Sequence, residues 1–228
     1  MSERNPASFK PRRRVVAGLG LVLVAALVGS LAWVPQVGAA IAPRDRVYPS
    51  YLPTVVQVSR IYPYLADGTR HTVKTLGSGG SFSCWNYDPF QAAGGRFSFY
   101  SLKGGPGPYF RGLEDPAAFV YKFHTRRQAL DAFWLQQRFV HDCMGRKSAD
   151  GTTQWRRTQR VPFLGQGSVA YRLRERHETS SGFGQTRELH IFVRRGRYVV
   201  NIFNQARDFQ PDTGNGVRLA RVTLRNIG

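Results

Sequence analysis

Residues 188–203 read ELHIFVRRGRYVVNIF, and this stretch decides the fold. It holds two runs of alternating apolar and polar residues, Glu188 to Arg194 and Arg197 to Phe203, separated by Arg195-Gly196. Alternation with period two is typical of half-buried strands, and a two-residue connection is typical of a β-hairpin. Counting back from that turn gives an apolar face of three pairs: Val193 with Tyr198, Ile191 with Val200 and Leu189 with Ile202. Arg194 with Arg197 and His190 with Asn201 fall on the other, polar face.

The longest helix is predicted upstream of this hairpin. Thr125 and Gln128 form a capping-box pattern, and the helix runs to Cys143 before Gly145 ends it. Its expected apolar face contains Ala129, Leu130, Phe133, Trp134, Val140 and Cys143.

Other segments complete a mostly antiparallel sheet. Strands are predicted at 97–102, at 119–123 and around 169–173, where aromatic and aliphatic residues alternate with polar ones. After Pro211 the apolar positions fit a short closing helix or a last strand, and we favour the helix. The predicted fold class is α+β, with one mostly antiparallel sheet, a main helix packed on its inner face and a possible short C-terminal helix.

The N-terminal region carries a membrane signal. Between Arg14 and Arg44 lie 29 uncharged positions, and residues 15–34 are long enough to span a bilayer. Residues 1–14 form a basic tail, which the positive-inside rule keeps in the cytoplasm. The alternative is a cleaved signal peptide ending near Ala40. We expect a retained single-pass anchor at 15–34, a Pro-rich linker at 35–53 and an extracytoplasmic domain at 54–228.

The charge of the chain points to anionic partners. The sequence has 33 Lys and Arg against 14 Asp and Glu, and 42% of its residues are hydrophobic. This composition excludes a disordered tail and a multi-span membrane protein. An exported basic domain lies on the wrong side of the membrane for chromosomal DNA, so no nucleic-acid partner is expected. Anionic lipid, an anionic cell-wall polymer or an envelope protein is the expected partner.

The two cysteines of the chain, Cys84 and Cys143, predict one disulfide, because an even pair in an oxidising compartment usually pairs. The loop that it would close contains about 60 residues, for which the chain-entropy model gives a stabilisation of about 4 kcal/mol. The alternative is a reactive thiol in His141-Asp142-Cys143. Adjacent helical residues project about 100° apart, which argues against a preformed pair.

Motifs for catalysis are absent from the sequence. It contains no GxSxG, HExxH or Walker A motif, and the segment 165–170 fits GxGxxA in spacing but opens a strand. The five His show no ligand spacing, and Glu114-Asp115 is assigned to a turn before Pro116. We therefore expect no enzyme, no cofactor and no metal site, with an envelope hydrolase as the remote alternative.

The polar face of the predicted sheet supplies the candidate ligand-binding residues. Arginines interleaved with aromatic rings can hold an anion bidentately and stack on a ring or an apolar chain. The alternative is a solvated face whose charges discourage edge pairing. A second basic group, Arg156, Arg157 and Arg160 beside Trp155, carries the same two interpretations. The candidate residues are Arg172, Arg174, Arg187, His190, Phe192, Arg194 and Arg197.

Residues 117–228 resemble the PknH-like extracellular domain, an actinobacterial extracytoplasmic sensor-like family found in lipoproteins, single-pass membrane proteins and receptor-type Ser/Thr kinases. The resemblance rests on the strand into a helix ending in Cys at 117–143, the Gly-rich strand entry at 165–172, and the hairpin at 191–200. It implies a non-catalytic ligand-binding or sensor module with a cleft. The chain departs from the kinases in having one predicted disulfide instead of two and a cytoplasmic tail too short for a kinase. A structural subunit docked on another envelope protein is the alternative function.

Overall fold

In the part of the chain that the structure describes, a seven-stranded antiparallel sheet forms the centre of the domain. The computed structural model describes residues 47–76, 96–103, 112–144, 153–179 and 182–228. The strands are β1 (Thr69–Leu76), β2 (Arg96–Lys103), β3 (Glu114–Lys122), β4 (Thr153–Gln159), β5 (Ser168–Thr179), β6 (Gly182–Arg195) and β7 (Tyr198–Arg207). Their order across the sheet is β1-β2-β3-β7-β6-β5-β4. The helices are α1 (Val55–Ser59), α2 (Arg126–Cys143) and α3 (Thr213–Ile227), with short 3₁₀ turns at Pro49–Tyr51 and Pro63–Leu65. The α+β class and the antiparallel sheet are confirmed.

The central hairpin forms, but its register differs from the predicted one by two residues. Val193 pairs with Val200 and Ile191 with Ile202, and the loop is Gly196-Arg197. Gly196 has a φ of +58°, which suits the first central position of a two-residue turn with a glycine there. A two-residue slip keeps every side chain on its predicted face, so the alternation pattern does not distinguish the two registers.

Both faces of the sheet pack against helices over the central strands. One face, here the α3 face, carries Leu189, Ile191 and Ile202 and packs against α3 and the segment 47–65. The opposite face, here the α2 face, carries Tyr171, Phe192 and other residues in one core with α2. The main helix packs on one face of the sheet, as predicted, but not on the apolar face of the hairpin. That face belongs to α3, and α2 covers the face that the sequence pattern assigned to solvent.

Helix α2 begins where the sequence predicts. Thr125 Oγ1 accepts from the Gln128 backbone N–H at 3.1 Å, and Gln128 Oε1 accepts from the Thr125 backbone N–H at 3.1 Å. Its buried face follows the helical repeat from Ala129 to Cys143. Trp134 was predicted on this face, but it is 60% exposed.

The domain starts earlier than predicted. Val47 and Leu52 lie within the predicted linker 35–53, yet both are buried in the core of the α3 face. The predicted linker therefore extends too far along the chain, because the apolar side chains of Val47 and Leu52 pack in the core of the domain. The predicted tail, the span 15–34 and the cleavage site near Ala40 lie outside the described residues. Among the residues that are described, no helix is long and apolar enough to cross a membrane.

Glu114 lies at the start of β3, not in a turn as predicted, and its carboxylate is buried. It accepts hydrogen bonds from the backbone N–H of Asp212 at 2.6 Å and from Asn204 Nδ2. Asn204 Nδ2 also donates to the Tyr62 hydroxyl at 3.2 Å. The Tyr64 hydroxyl donates to the Glu114 carbonyl at 2.6 Å. One carboxylate thus joins β3, β7 and the N-cap of α3.

Cys143 is fully buried at the end of α2, and it is not a free cysteine. Cys84 lies outside the described residues, so its pairing with Cys143 stays a prediction.

Cys84→Ser and the double variant Cys84→Ser/Cys143→Ser should therefore lose about the same free energy of unfolding, roughly 2 to 4 kcal/mol, because either change removes the same crosslink. Chemical denaturation of the oxidised chain measures this loss. Additive losses from the two single variants would contradict the crosslink.

Candidate functional site

An open groove of about 960 Å³ lies along β4 and β5. Its size is in the range of pockets that take drug-sized ligands, so it can hold more than a single small ion. The described lining residues include five arginines and no carboxylate: Trp155, Arg156, Arg157, Thr158, Gln159, Arg160, Arg172, Leu173, Arg174 and Gln210.

The strand register brings the central groove residues together. Arg157 is directly opposite Arg172, and Trp155 is directly opposite Arg174. Directly opposed residues of antiparallel strands share a face with Cβ atoms about 5 Å apart. Arg172 in turn pairs with Leu189, a core residue of the α3 face, so all four side chains lie on that face.

Arg174 and Trp155 form a cation–π pair. The guanidinium carbon of Arg174 is 5.4 Å from the centroid of the Trp155 ring, and 42% of Trp155 remains exposed. Stacking orients the guanidinium without using up its N–H donors. The pair offers a ligand both a flat apolar surface and a charge.

Arg172 is held in place by two neutral groups. Its Nη1 donates to Gln210 Oε1 at 2.8 Å and its Nη2 donates to Thr213 Oγ1 at 2.7 Å. Its Nε is buried and has no hydrogen-bond partner among the residues that the structure describes. Burial lowers the pKa of Arg172, and the charge of Arg157 lowers that pKa further. Like charges placed opposite each other destabilise a sheet, so an anion between Arg157 and Arg172 would relieve an existing repulsion.

Arg156 differs from its neighbours because its side chain turns to the α2 face. It is 8% exposed, and its guanidinium carbon is 5.7 Å from the centroid of the Phe139 ring. Burial lowers the pKa of Arg156. Arg157 and Arg160, by contrast, are exposed.

The seven predicted ligand residues do not form one surface. Opposed pairs in β5 and β6 place Arg172, Arg174 and Arg187 on the α3 face. His190, Phe192 and Arg194 lie on the α2 face, and Arg197 lies in the hairpin turn. Of the seven, Arg172 and Arg174 line the groove. The prediction assumes that the polar residues of β5 share a face with the polar residues of β6. In the structure Arg172 of β5 is instead directly opposite the apolar Leu189 of β6.

The predicted residues outside the groove have structural contacts. Phe192 is buried against α2. Arg187 Nε donates to Gln185 Oε1 at 2.9 Å, and Arg194 Nη1 donates to Gln166 Oε1 at 2.8 Å. Arg197 Nη1 donates to the His124 carbonyl at 3.1 Å. These contacts hold strands and turns in place.

His190 lies in a stacked aromatic cluster. Its ring centroid is 4.5 Å from that of Tyr171 and 5.1 Å from that of Phe203. Its Nε2 is 3.0 Å from Glu188 Oε2, and the two side chains are 14% and 13% exposed. Burial raises the pKa of Tyr171, and the nearby Glu188 raises it further. This cluster packs beneath α2 and is not part of the groove.

Two basic groups that are separate in the sequence lie together in the structure. Trp155, Arg157 and Arg160 of the second group lie in the same groove as Arg172 and Arg174. Gln210 was missed, because nothing in its local sequence indicates that it meets β5. Among the described residues, no three His, Cys, Asp or Glu side chains are grouped so as to hold a metal ion.

No protein-family model matches the sequence, and no curated protein matches it. A solved structure does match: the extracellular domain of PknH from Mycobacterium tuberculosis, with a TM-score of 0.56 and 12% sequence identity. The match covers 78% of this chain and 93% of that chain, which is wider than the predicted resemblance over residues 117–228. At this identity the likeness concerns the fold. The chain has the fold of the PknH extracellular domain, as its sequence resemblance indicated.

Proposed function

We propose that residues 47–228 are an extracytoplasmic, non-catalytic ligand-binding or sensor domain that the segment 15–34 anchors to the membrane. The ligand is anionic, an envelope polymer or a lipid head group, and it binds in the groove of Trp155, Arg157, Arg172 and Arg174. The observation that carries the proposal is the concentration of arginines around one indole ring, with no carboxylate among the described lining residues.

The groove chemistry suits binding better than catalysis. Guanidinium groups stay protonated and donate hydrogen bonds in a planar fork that matches phosphate and carboxylate oxygens. The described lining contains no His, Cys or carboxylate that would serve as a general base. The residues that line the groove can bind and orient an anion, as a ligand-sensing domain requires.

Topology supports an extracytoplasmic location. The basic tail 1–14 precedes the apolar segment 15–34, an arrangement that exports the rest of the chain. The fold is that of a domain described as extracellular in its own protein. A location outside the cytoplasm makes anionic envelope molecules the relevant ligands.

Ligand binding is favoured over a purely structural role in an envelope assembly. A docking subunit should present a large contiguous apolar patch. The large exposed apolar side chains of the described residues are instead spread over separate elements, with Val56 on α1, Trp134 on α2 and Phe163 between β4 and β5. The groove is a concave basic and aromatic surface.

The test is a titration of the full chain with poly(glycerol phosphate), with polyglutamate and with neutral dextran. The emission of Trp155 is isolated by subtracting the signal of Trp155→Phe. We expect both polyanions, or one of them, to change this emission, with an affinity that falls as salt rises because binding releases counterions. Dextran should have no effect. A chain that responds to neither polyanion would overturn the proposal.

A further inference from the structure

A second basic surface lies on α3 and α1, away from the groove. Four arginines and three other residues line a hollow of about 380 Å³ between the two helices. Arg60, Arg218, Arg221 and Arg225 are all exposed, and we call these four the basic patch. No carboxylate is among the described lining residues.

The patch is held on a rigid support. Asn226 and Gln57 exchange two side-chain hydrogen bonds of 3.1 Å each, which tie the end of α3 to α1. Asn226 Nδ2 also donates to the Leu52 carbonyl at 3.1 Å. Arg60, which directly follows α1, is therefore held beside the arginines of α3.

Folding alone does not account for these charges. Positions 218, 221 and 225 fall on one side of α3, where like charges three or four residues apart repel each other. The helix dipole favours a cation at a helix C-terminus, which explains Arg225 in the last turn of α3 and Arg60 at the C-cap of α1, but not Arg218 or Arg221. Among the described residues, none of the four forms an ion pair. The repulsion among these positive charges is compensated when the surface binds an anionic partner.

The position of the patch indicates which partner that is. Val56 lies one helical turn before Arg60 and is 61% exposed. An aliphatic side chain next to guanidinium groups suits the boundary between lipid head groups and acyl chains. The patch also adjoins the segment through which the chain enters the domain, since Asn226 contacts Leu52. The 13 Cα-to-Cα steps from residue 34 to residue 47 can span at most about 45 Å, so an anchor at 15–34 would tether this surface near the bilayer.

We propose that the basic patch docks on anionic phospholipid head groups of the membrane that carries the anchor. The proposal rests on the anchored topology proposed above, but it does not depend on the groove. Docking would orient the domain on the membrane surface and restrict its rotation there.

The test measures the accessibility of individual arginines in the full chain, reconstituted in nanodiscs of phosphatidylcholine with or without phosphatidylglycerol. Phenylglyoxal modifies exposed guanidinium groups, and mass spectrometry reports the rate at each arginine. The reference is Arg138 on α2, whose side chain is 74% exposed. We expect the rates at Arg218, Arg221 and Arg225 to fall at least about fivefold relative to Arg138 in anionic discs, and to recover at about 1 M salt.

Two variants separate the patch from the groove. Arg221→Gln/Arg225→Gln should abolish the protection of Arg218, whereas Arg157→Gln/Arg174→Gln should leave it intact. Equal rates in neutral and anionic discs would overturn the docking proposal while leaving the anchor and the groove standing. Equal slowing at Arg138 would also overturn it, because the contact would then not be specific to the patch. A chain that neither disc retains would contradict the anchor as well.

Discussion

Replacing Arg157 and Arg174 together by glutamine is expected to weaken the binding of poly(glycerol phosphate) by at least about a hundredfold. A hydrogen bond between charged groups contributes about 1.5 to 3 kcal/mol, which is roughly a tenfold to hundredfold effect for each arginine. Arg172 is left in place because its bonds to Gln210 and Thr213 also hold the loop before α3 against β5. Isothermal titration of the full chain measures the affinity.

The same double variant should not lose stability. Arg157 is directly opposite Arg172, and removing one of two opposed like charges relieves repulsion. The midpoint of chemical denaturation should therefore stay the same or rise. A loss of binding without a loss of stability assigns these arginines to the ligand and not to the fold.

A matched control removes equal charge from the other face of the domain. Arg127 and Arg138 lie on α2 in exposed ion pairs with Asp131 and Asp142, which contribute little to stability. Arg127→Gln/Arg138→Gln should bind the polymer within about twofold of the unmodified chain if the groove is the site. Equal weakening by both double variants would mean that net charge, and not the groove, attracts the polymer.

Glu114→Ala is expected to lower the free energy of unfolding by about 4 kcal/mol or more. The change removes the acceptor of one amide N–H of Asn204 in a buried site and the acceptor of the half-buried backbone N–H of Asp212. Each unsatisfied buried donor costs about 1 to 3 kcal/mol, and the lost bonds to a charged acceptor add to this cost. Chemical denaturation of the oxidised chain measures the loss.

Glu114→Gln and Asp115→Asn distinguish the buried network from a general effect of charge. Glutamine keeps one acceptor oxygen, so Glu114→Gln should lose less stability than Glu114→Ala. Asp115 is the neighbouring carboxylate, and burial raises its pKa, so its charged form is disfavoured in the folded state. Asp115→Asn should be neutral or slightly stabilising at neutral pH. A loss for Asp115→Asn comparable with that for Glu114→Ala would contradict the role of the network.

Local sequence signals predicted the local structure well. Thr125 and Gln128 lie three residues apart, so the capping box needs no information from the rest of the chain. The hairpin faces were predicted for the same reason, since alternation alone assigns residues 189, 191 and 193 to one side. The sequence pattern did not determine the register of the hairpin, because a shift of two residues preserves the alternation.

The candidate site depended on contacts between distant segments. Arg157 and Arg172 are brought together by the pairing of β4 with β5, and Gln210 reaches Arg172 from a loop 38 residues along the chain. The sequence placed Arg172 with His190 and Arg194, which lie on the opposite face. The alternation within one strand shows which of its residues share a face. It does not show which of its two faces continues the apolar face of the neighbouring strand.

The sequence by itself determined the α+β class, the hairpin, the start of α2 and the charge of the molecule. Tertiary structure alone decided which helix covers which face, the burial of Glu114 and the joining of two basic groups into one groove. The physical reason is the distance along the chain over which each interaction acts. Capping and alternation act over a few residues, whereas register and layer packing depend on apolar surfaces that meet after the chain has folded.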